Sequence, residues 1–220
     1  MTVAPTNPTA SIPVRVSNRA TERLLFAGAA AGPLFFASAI TQMLTREGFD
    51  ITRHPISQLA TGGVGWIQIL TFITAGMGAL ALAAGIARTI TEGTGRRALP
   101  VLVGVFGVGL IASGVFTMDP ENGFPAGTPD GPVAQMSWHS VAHSTAAAVA
   151  FTAVAIAALV LSMRYVRQRM VLPAVVSAVA GLALLMPMSA EHMSIQIAIN
   201  GAIAFTWTSV VAVSQRRLLG

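Results

Sequence analysis

Four histidines, His54, His139, His143 and His192, give this sequence most of its chemical reach. His139 and His143 have the four-residue spacing that puts two imidazoles on one face of a helix, where both can bind one metal ion. Add His54 as a third ligand, Asp119 to position the water that such an ion activates, and Ser57 as an orienting hydroxyl. The result is a candidate hydrolytic site for zinc or another divalent metal, with catalytic roles for Asp119 and Ser57. The same side chains admit other readings. Ser57, His143 and Asp119 are the residue types of a nucleophilic triad, but no Gly-x-Ser-x-Gly elbow accompanies them. His54 and His143 lie on different segments and are a pair that can hold a haem iron from both sides, which His139 and His143 on one helix cannot. The plainer alternative is that His139 and His143 sit at a wet interface, bonded to their surroundings or to lipid phosphate.

The elements that must position these residues are apolar. Of the 220 residues 54% are hydrophobic and only 10% charged, too few polar groups to cover a soluble globule of this length. The apolar residues fall in runs near the length that crosses a bilayer, predicting helices over residues 24–44, 66–87, 99–118, 138–163, 171–188 and 193–213. None of these runs alternates polar with apolar as a barrel strand would. The expected fold is therefore an all-α, polytopic membrane bundle of about six transmembrane helices, over residues 24–214. It is flanked by a flexible tail, residues 1–23, with Pro5, Pro8 and Pro13, and by a short tail, residues 215–220. The N-terminal arginines, the apolar stretch and Ala37-Ser38-Ala39 imitate a signal peptide, but the first span reads as a retained anchor.

Between the first two spans, residues 45–65 are polar, with a short surface helix expected at residues 55–60, stopped by Gly62 and Gly63. Between the third and fourth, the run from Asp119 to Pro132 reads as successive turns forming a rigid lid. Its acidic residues lack the spacing of an EF-hand. Inside the spans, Gln42, Gln68, Gln196 and Asn200 are the main polar insertions, expected to bond between helices. Small residues, Gly28 with Gly32 and Gly109 with Ser113, suit close helix packing. Gly104, Gly107 and Gly109 lie within an apolar span without a preceding strand, so they do not form a nucleotide loop. The near absence of ionisable groups within the spans argues against a pump built on buried carboxylates.

Orientation rests on arginine alone, since the chain has no lysine. Eleven of its thirteen arginines fall before the first span or after the second, fourth and sixth, leaving only Arg46 and Arg53 on the other side. The positive-inside rule puts both termini in the cytoplasm, as expected for a multi-pass protein of a prokaryotic cytoplasmic (inner) membrane. This distribution also accounts for the sequence pI near 11.5 without nucleic acid as a partner. All four histidines, with Ser57, Asp119, Glu121, Asp130 and Glu191, then fall on the extracytoplasmic side. Without cysteine there is neither disulfide nor thiol chemistry.

Three stretches in this order carry a family resemblance: His54-Pro-Ile-Ser-Gln-Leu-Ala before the second span, Asp119-Pro-x-x-Gly-Phe-Pro-x-Gly-x-Pro after the third, and His143 in the fourth. With six hydrophobic segments, the chain resembles the prokaryotic integral membrane family known as domain of unknown function 998, over roughly residues 24–214. Gln58 departs from that pattern, standing where an acidic residue is common. The resemblance implies the architecture and no activity. In residue types alone, Ser57, Asp119, His54, His139 and His143 are also similar to the membrane hydrolases that include alkaline ceramidases, which use Ser, Asp and three His around zinc. Two functions follow as expectations: a metal-dependent hydrolase of a lipid or amphiphile, or a noncatalytic lipid- or small-molecule-binding protein or accessory subunit of a membrane complex. The sequence does not decide whether the chain is an enzyme, and membrane lipid is its expected partner.

Overall fold

The structure is a computed structural model that describes residues 19–219. Residues 1–18, most of the expected N-terminal tail, lie outside the described residues. Among the described residues there are six α-helices and no strand: α1 (Arg19–Thr45), α2 (Trp66–Thr89), α3 (Ala98–Val115), α4 (Trp138–Arg167), α5 (Val171–Leu184) and α6 (Met193–Arg217). All but α5 are long and apolar enough to cross a membrane. Helix α1 already begins at Arg19 and α6 continues to Arg217, because arginine is a good helix former and extends a span into the interface. By contrast α5 stops at Leu184, and residues 185–188 leave the helix although they stay apolar. The residue before Pro187 is biased away from helical geometry, so the helix must end ahead of it.

Successive helices pack against one another, and α6 returns to close on α1. Small residues set the seams. A Cβ on Gly28 would lie 2.7 Å from the Cβ of Leu82 in α2, whereas one on Gly32 would lie 2.9 Å from the Cβ of Phe205 in α6. The two glycines therefore serve different seams, not one. A Cβ on Gly109 would lie 2.6 Å from that of Ala150, bringing α3 hard against α4.

Pro33 sits inside α1 and cannot donate to the carbonyl of Ala29. That oxygen instead accepts the Ser209 hydroxyl from α6, at 3.0 Å. Phe35, Phe72, Phe106 and Phe205 meet in the core, with Phe35 and Phe205 stacked at 4.7 Å.

The bundle has two distinct ends. One carries most of the arginines: Arg164 Nη1 donates to the carbonyls of Glu92 (2.7 Å) and Thr94 (3.1 Å), and Arg216 lies over the Phe26 ring. The other carries the two long connections, residues 46–65 and 116–137, which pack together. Here the structure departs from the surface helix expected at residues 55–60. A single 3-10 turn, Ile56–Ala60, forms there instead, and every residue from His54 to Thr61 is buried. Ile56 and Leu59 are core residues that draw the turn inward, where the carbonyls of Pro55 and Gln58 accept N–H groups of the turn itself and those of Leu59 and Thr61 accept the Arg46 guanidinium.

Candidate functional site

At the connection end, the buried turn is held by Arg46, which follows α1. Its guanidinium donates to the carbonyl oxygens of Leu59 and Thr61 and lies 4.6 Å from the centroid of the Phe124 ring. Burial lowers the pKa of Arg46 from its ordinary value. Phe124, almost wholly buried, anchors the second connection against the first. Two exposed carboxylates brace the turns. Hydrogen bonds from Thr52 hold the Asp50 carboxyl below its usual range, and the Arg53 guanidinium bonded to Asp130 does the same there.

His54 lies in the middle of this contact. Its Nδ1 accepts the backbone N–H of Asp50 at 2.9 Å, so the ring proton is on Nε2, which donates to the carbonyl of Asn122 at 3.0 Å. The ring is 5.6 Å from Phe49 and 5.3 Å from Phe124, between centroids. Nδ1 is thus spent within the first connection and Nε2 on joining it to the second, and neither has a lone pair left for a metal. His143, also buried, turns Nδ1 toward two carbonyls at the end of α3, Ser113 at 2.8 Å and Phe116 at 2.9 Å. Carbonyl oxygens only accept, so Nδ1 carries the proton and Nε2 is the free atom of the neutral ring.

The remaining sequence-predicted residues have structural partners too. His139 packs beside Trp138, with centroids 3.8 Å apart, and against the Phe116 ring. Asp119 Oδ2 accepts the backbone N–H of Ser137, the residue that caps α4, at 2.7 Å. The Ser57 hydroxyl donates to the sulfur of Met118 at 2.9 Å. His192 is exposed, 4.0 Å from Glu191, and Glu121 accepts the backbone N–H of Val133. His139 and His143 do share the face of α4 over the end of α3, as their spacing predicts. Among the described residues, however, no three His, Asp or Glu side chains gather closely enough to hold a metal ion.

Below the connections lies a layer of buried amides and hydroxyls. Gln42 in α1 donates to Gln68 in α2 at 2.7 Å, and Ser38 bonds Thr71 at 2.6 Å across the same pair of helices. These are the interhelical bonds expected of such insertions. Gln196 instead pins the α5–α6 connection, bonding the backbone of Pro187 and Ser189. Neither amide atom of Gln58 has a partner, although the residue is fully buried. Gln42 Oε1, Gln68 Nε2 and Ser113 Oγ are also unpartnered.

A large concavity lies elsewhere. Helix α5 packs along α4 but scarcely meets α6. The gap between α4, α5 and α6 is a cleft of about 1170 Å³, walled by apolar side chains such as Val176, Val179, Ile203 and Val210. Toward the arginine-rich end it reaches Arg164, Gln168, Arg217 and the nearly buried Gln215. A second hollow of about 400 Å³ adjoins it, formed by Glu92, Gly93, Thr94 and Arg167, and shares Arg164 and Gln168 with the cleft. Sequence reasoning missed both. Topology had already accounted for the arginines, and no hydropathy pattern reveals that two neighbouring helices stand apart. The sequence signal available was the concentration of Arg164, Arg167 and Arg169 before a fifth segment interrupted by Pro187.

A family model described as a protein of unknown function (DUF998) matches residues 29–215. No curated protein and no solved structure is significantly similar to the chain.

Proposed function

The chain belongs to the DUF998 family of proteins of unknown function, and with no activity to inherit from it we propose that this integral membrane protein binds a lipid-like amphiphile without transforming it. The cleft between α4, α5 and α6 carries this reading. Its volume of about 1170 Å³ lies just above the range of roughly 300–1,000 Å³ typical of small-molecule sites, a size suited to long apolar chains. Its walls are mainly apolar along the bilayer, with Ser177 and Thr206 the polar side chains partway along, and its charged groups Arg164 and Arg217 gather near one end, as the polarity of an amphiphile requires. The positive-inside rule would put that end in the cytoplasm.

Two features favour binding over turnover. The cleft is lined by no histidine and no carboxylate, and Tyr165 is the one residue on its walls of a type that serves as general acid or base. Of the histidines at the connection end, His54 keeps no free nitrogen and His143 spends Nδ1 on two carbonyls at the end of α3. The metal-dependent hydrolase expected from residue types therefore has no geometric support.

The test is lipid retention. Wild-type protein extracted in mild detergent should retain lipid that native mass spectrometry detects. Ala202→Trp, which puts an indole into the cleft from α6, should lose that lipid while unfolding at a similar temperature. A variant that keeps the same lipid in the same amount would overturn the proposal.

A further inference from the structure

We infer that the amphiphile is an anionic phospholipid, its phosphate held at the mouth of the cleft by Arg164 and Arg167. The inference rests on the binding role proposed above and adds the identity of the headgroup. It starts from two hollows that share a wall. The apolar cleft and the smaller polar hollow have Arg164 and Gln168 in common, so a ligand with chains in the first has its polar end beside the second.

The arginines are pre-positioned. Arg164 bonds the 92–94 turn through Nη1, to the carbonyls of Glu92 and Thr94. Arg167 bonds the same turn through its own Nη1, to the hydroxyl of Thr94 at 2.6 Å. Gly93 has φ of +74°, and a Cβ there would come within 3.3 Å of Arg164 Nη1, so the turn closes directly on the guanidinium. Among the described residues, Nε and Nη2 of both arginines have no hydrogen-bond partner. Each guanidinium therefore keeps one edge for a ligand, and a phosphate accepts such edges in bidentate fashion.

The charge balance agrees. Glu92 is the single carboxylate on the polar hollow, and it forms no salt bridge with either arginine, which grip backbone and hydroxyl oxygens instead. Arg217 adds a third positive charge on the cleft itself, where no carboxylate opposes it. Gln215 also lines the cleft, only 5% exposed, with Oε1 buried and unpartnered. That atom is an acceptor for a hydroxyl-bearing headgroup. A purely apolar occupant would leave it unsatisfied, whereas a phospholipid with a hydroxylated headgroup such as phosphatidylglycerol can pair with it.

The experiment uses the full chain in nanodiscs of phosphatidylcholine containing a minor fraction of phosphatidylglycerol, with protein-bound lipid identified after release. Each arginine near a membrane surface contributes on the order of a kcal/mol toward an anionic lipid, so bound phosphatidylglycerol should be enriched about tenfold or more over the bulk. Arg167→Gln should cut that enrichment several-fold while leaving the total bound lipid unchanged, and Arg167→Lys should retain part of it. Arg164→Gln should act in the same direction, though it also loosens the 92–94 turn. Bound lipid without anionic enrichment, or enrichment untouched in both glutamine variants, would overturn the headgroup assignment alone. Wild-type protein that holds no lipid at all would overturn the binding role beneath it.

Discussion

Replacing His54 with alanine separates a ring that braces two connections from one that binds a metal. The substitution leaves two backbone groups without their partner, the Asp50 N–H and the Asn122 carbonyl. An unsatisfied buried group costs about 1–3 kcal/mol, but Asp50 is exposed and Asn122 half-buried, so water can reach both and the lower end applies. Removing a ring packed between Phe49 and Phe124 adds a further loss on the scale of a small core truncation. The sum is about 2–4 kcal/mol, or roughly 5–15 °C in unfolding temperature for a chain of this size. The assay is thermal unfolding in detergent, followed by tryptophan fluorescence, with and without a chelator. His54→Ala should unfold well below wild type, His54→Phe should fall between them, and chelator should shift none of the three. The reasoning fails if His54→Ala unfolds within about 2 °C of wild type, or if chelator destabilises wild type and has no effect on the variant.

Two further outcomes follow from packing and hydrogen bonding. Gln58→Met removes an amide with no protein partner and should leave stability unchanged or raise it by about 1–2 kcal/mol, whereas Gln68→Met breaks the Gln42–Gln68 bond and should lower it by a similar amount. Unfolding in denaturant gives both values, and a greater loss for Gln58→Met than for Gln68→Met would contradict the assignment. Gly109→Ala places a Cβ within 2.6 Å of that of Ala150 and 2.9 Å of the Ala146 carbonyl, so α3 and α4 must part. The expected cost is about 1–3 kcal/mol, read from the same unfolding curves.

The helices were legible because lipid leaves a backbone few choices: every N–H and C=O must be paired within the segment, so long apolar runs become helices. Their ends were less so. Residues 185–188 are as apolar as the helix they follow, and hydropathy does not register that Pro187 forbids continuation. The segment from His54 to Thr61 reads as surface because it mixes polar with apolar residues. Its burial depends on carbonyls gripped by Arg46, a contact made across thirteen and fifteen positions of sequence. The histidine spacing correctly predicted that His139 and His143 share a face. It carried no information about their ring nitrogens, because their neighbours, carbonyls and rings at the end of α3, are set by tertiary packing. Gln42 and Gln68 were recognisable as polar insertions that bond between helices, but not as each other's partners. The cleft was not recognisable, since an absent contact leaves no mark on either helix that fails to make it.

The shortness of α5 also bears on the membrane around the protein. Fourteen residues rise only about 21 Å, against a hydrocarbon thickness of about 30 Å. Neighbouring helices exceed that thickness, so the shortfall is confined to one flank. Lipid there can remain in register with α5 only by thinning locally, at a cost of a fraction of a kcal/mol for each ångström of mismatch. The leaflet would then dimple beside the cleft, drawing headgroups down toward its opening and shortening the path from bulk bilayer to bound lipid. The same asymmetry would bias the protein toward thinner membranes, so bilayer thickness becomes a variable to which α5 responds.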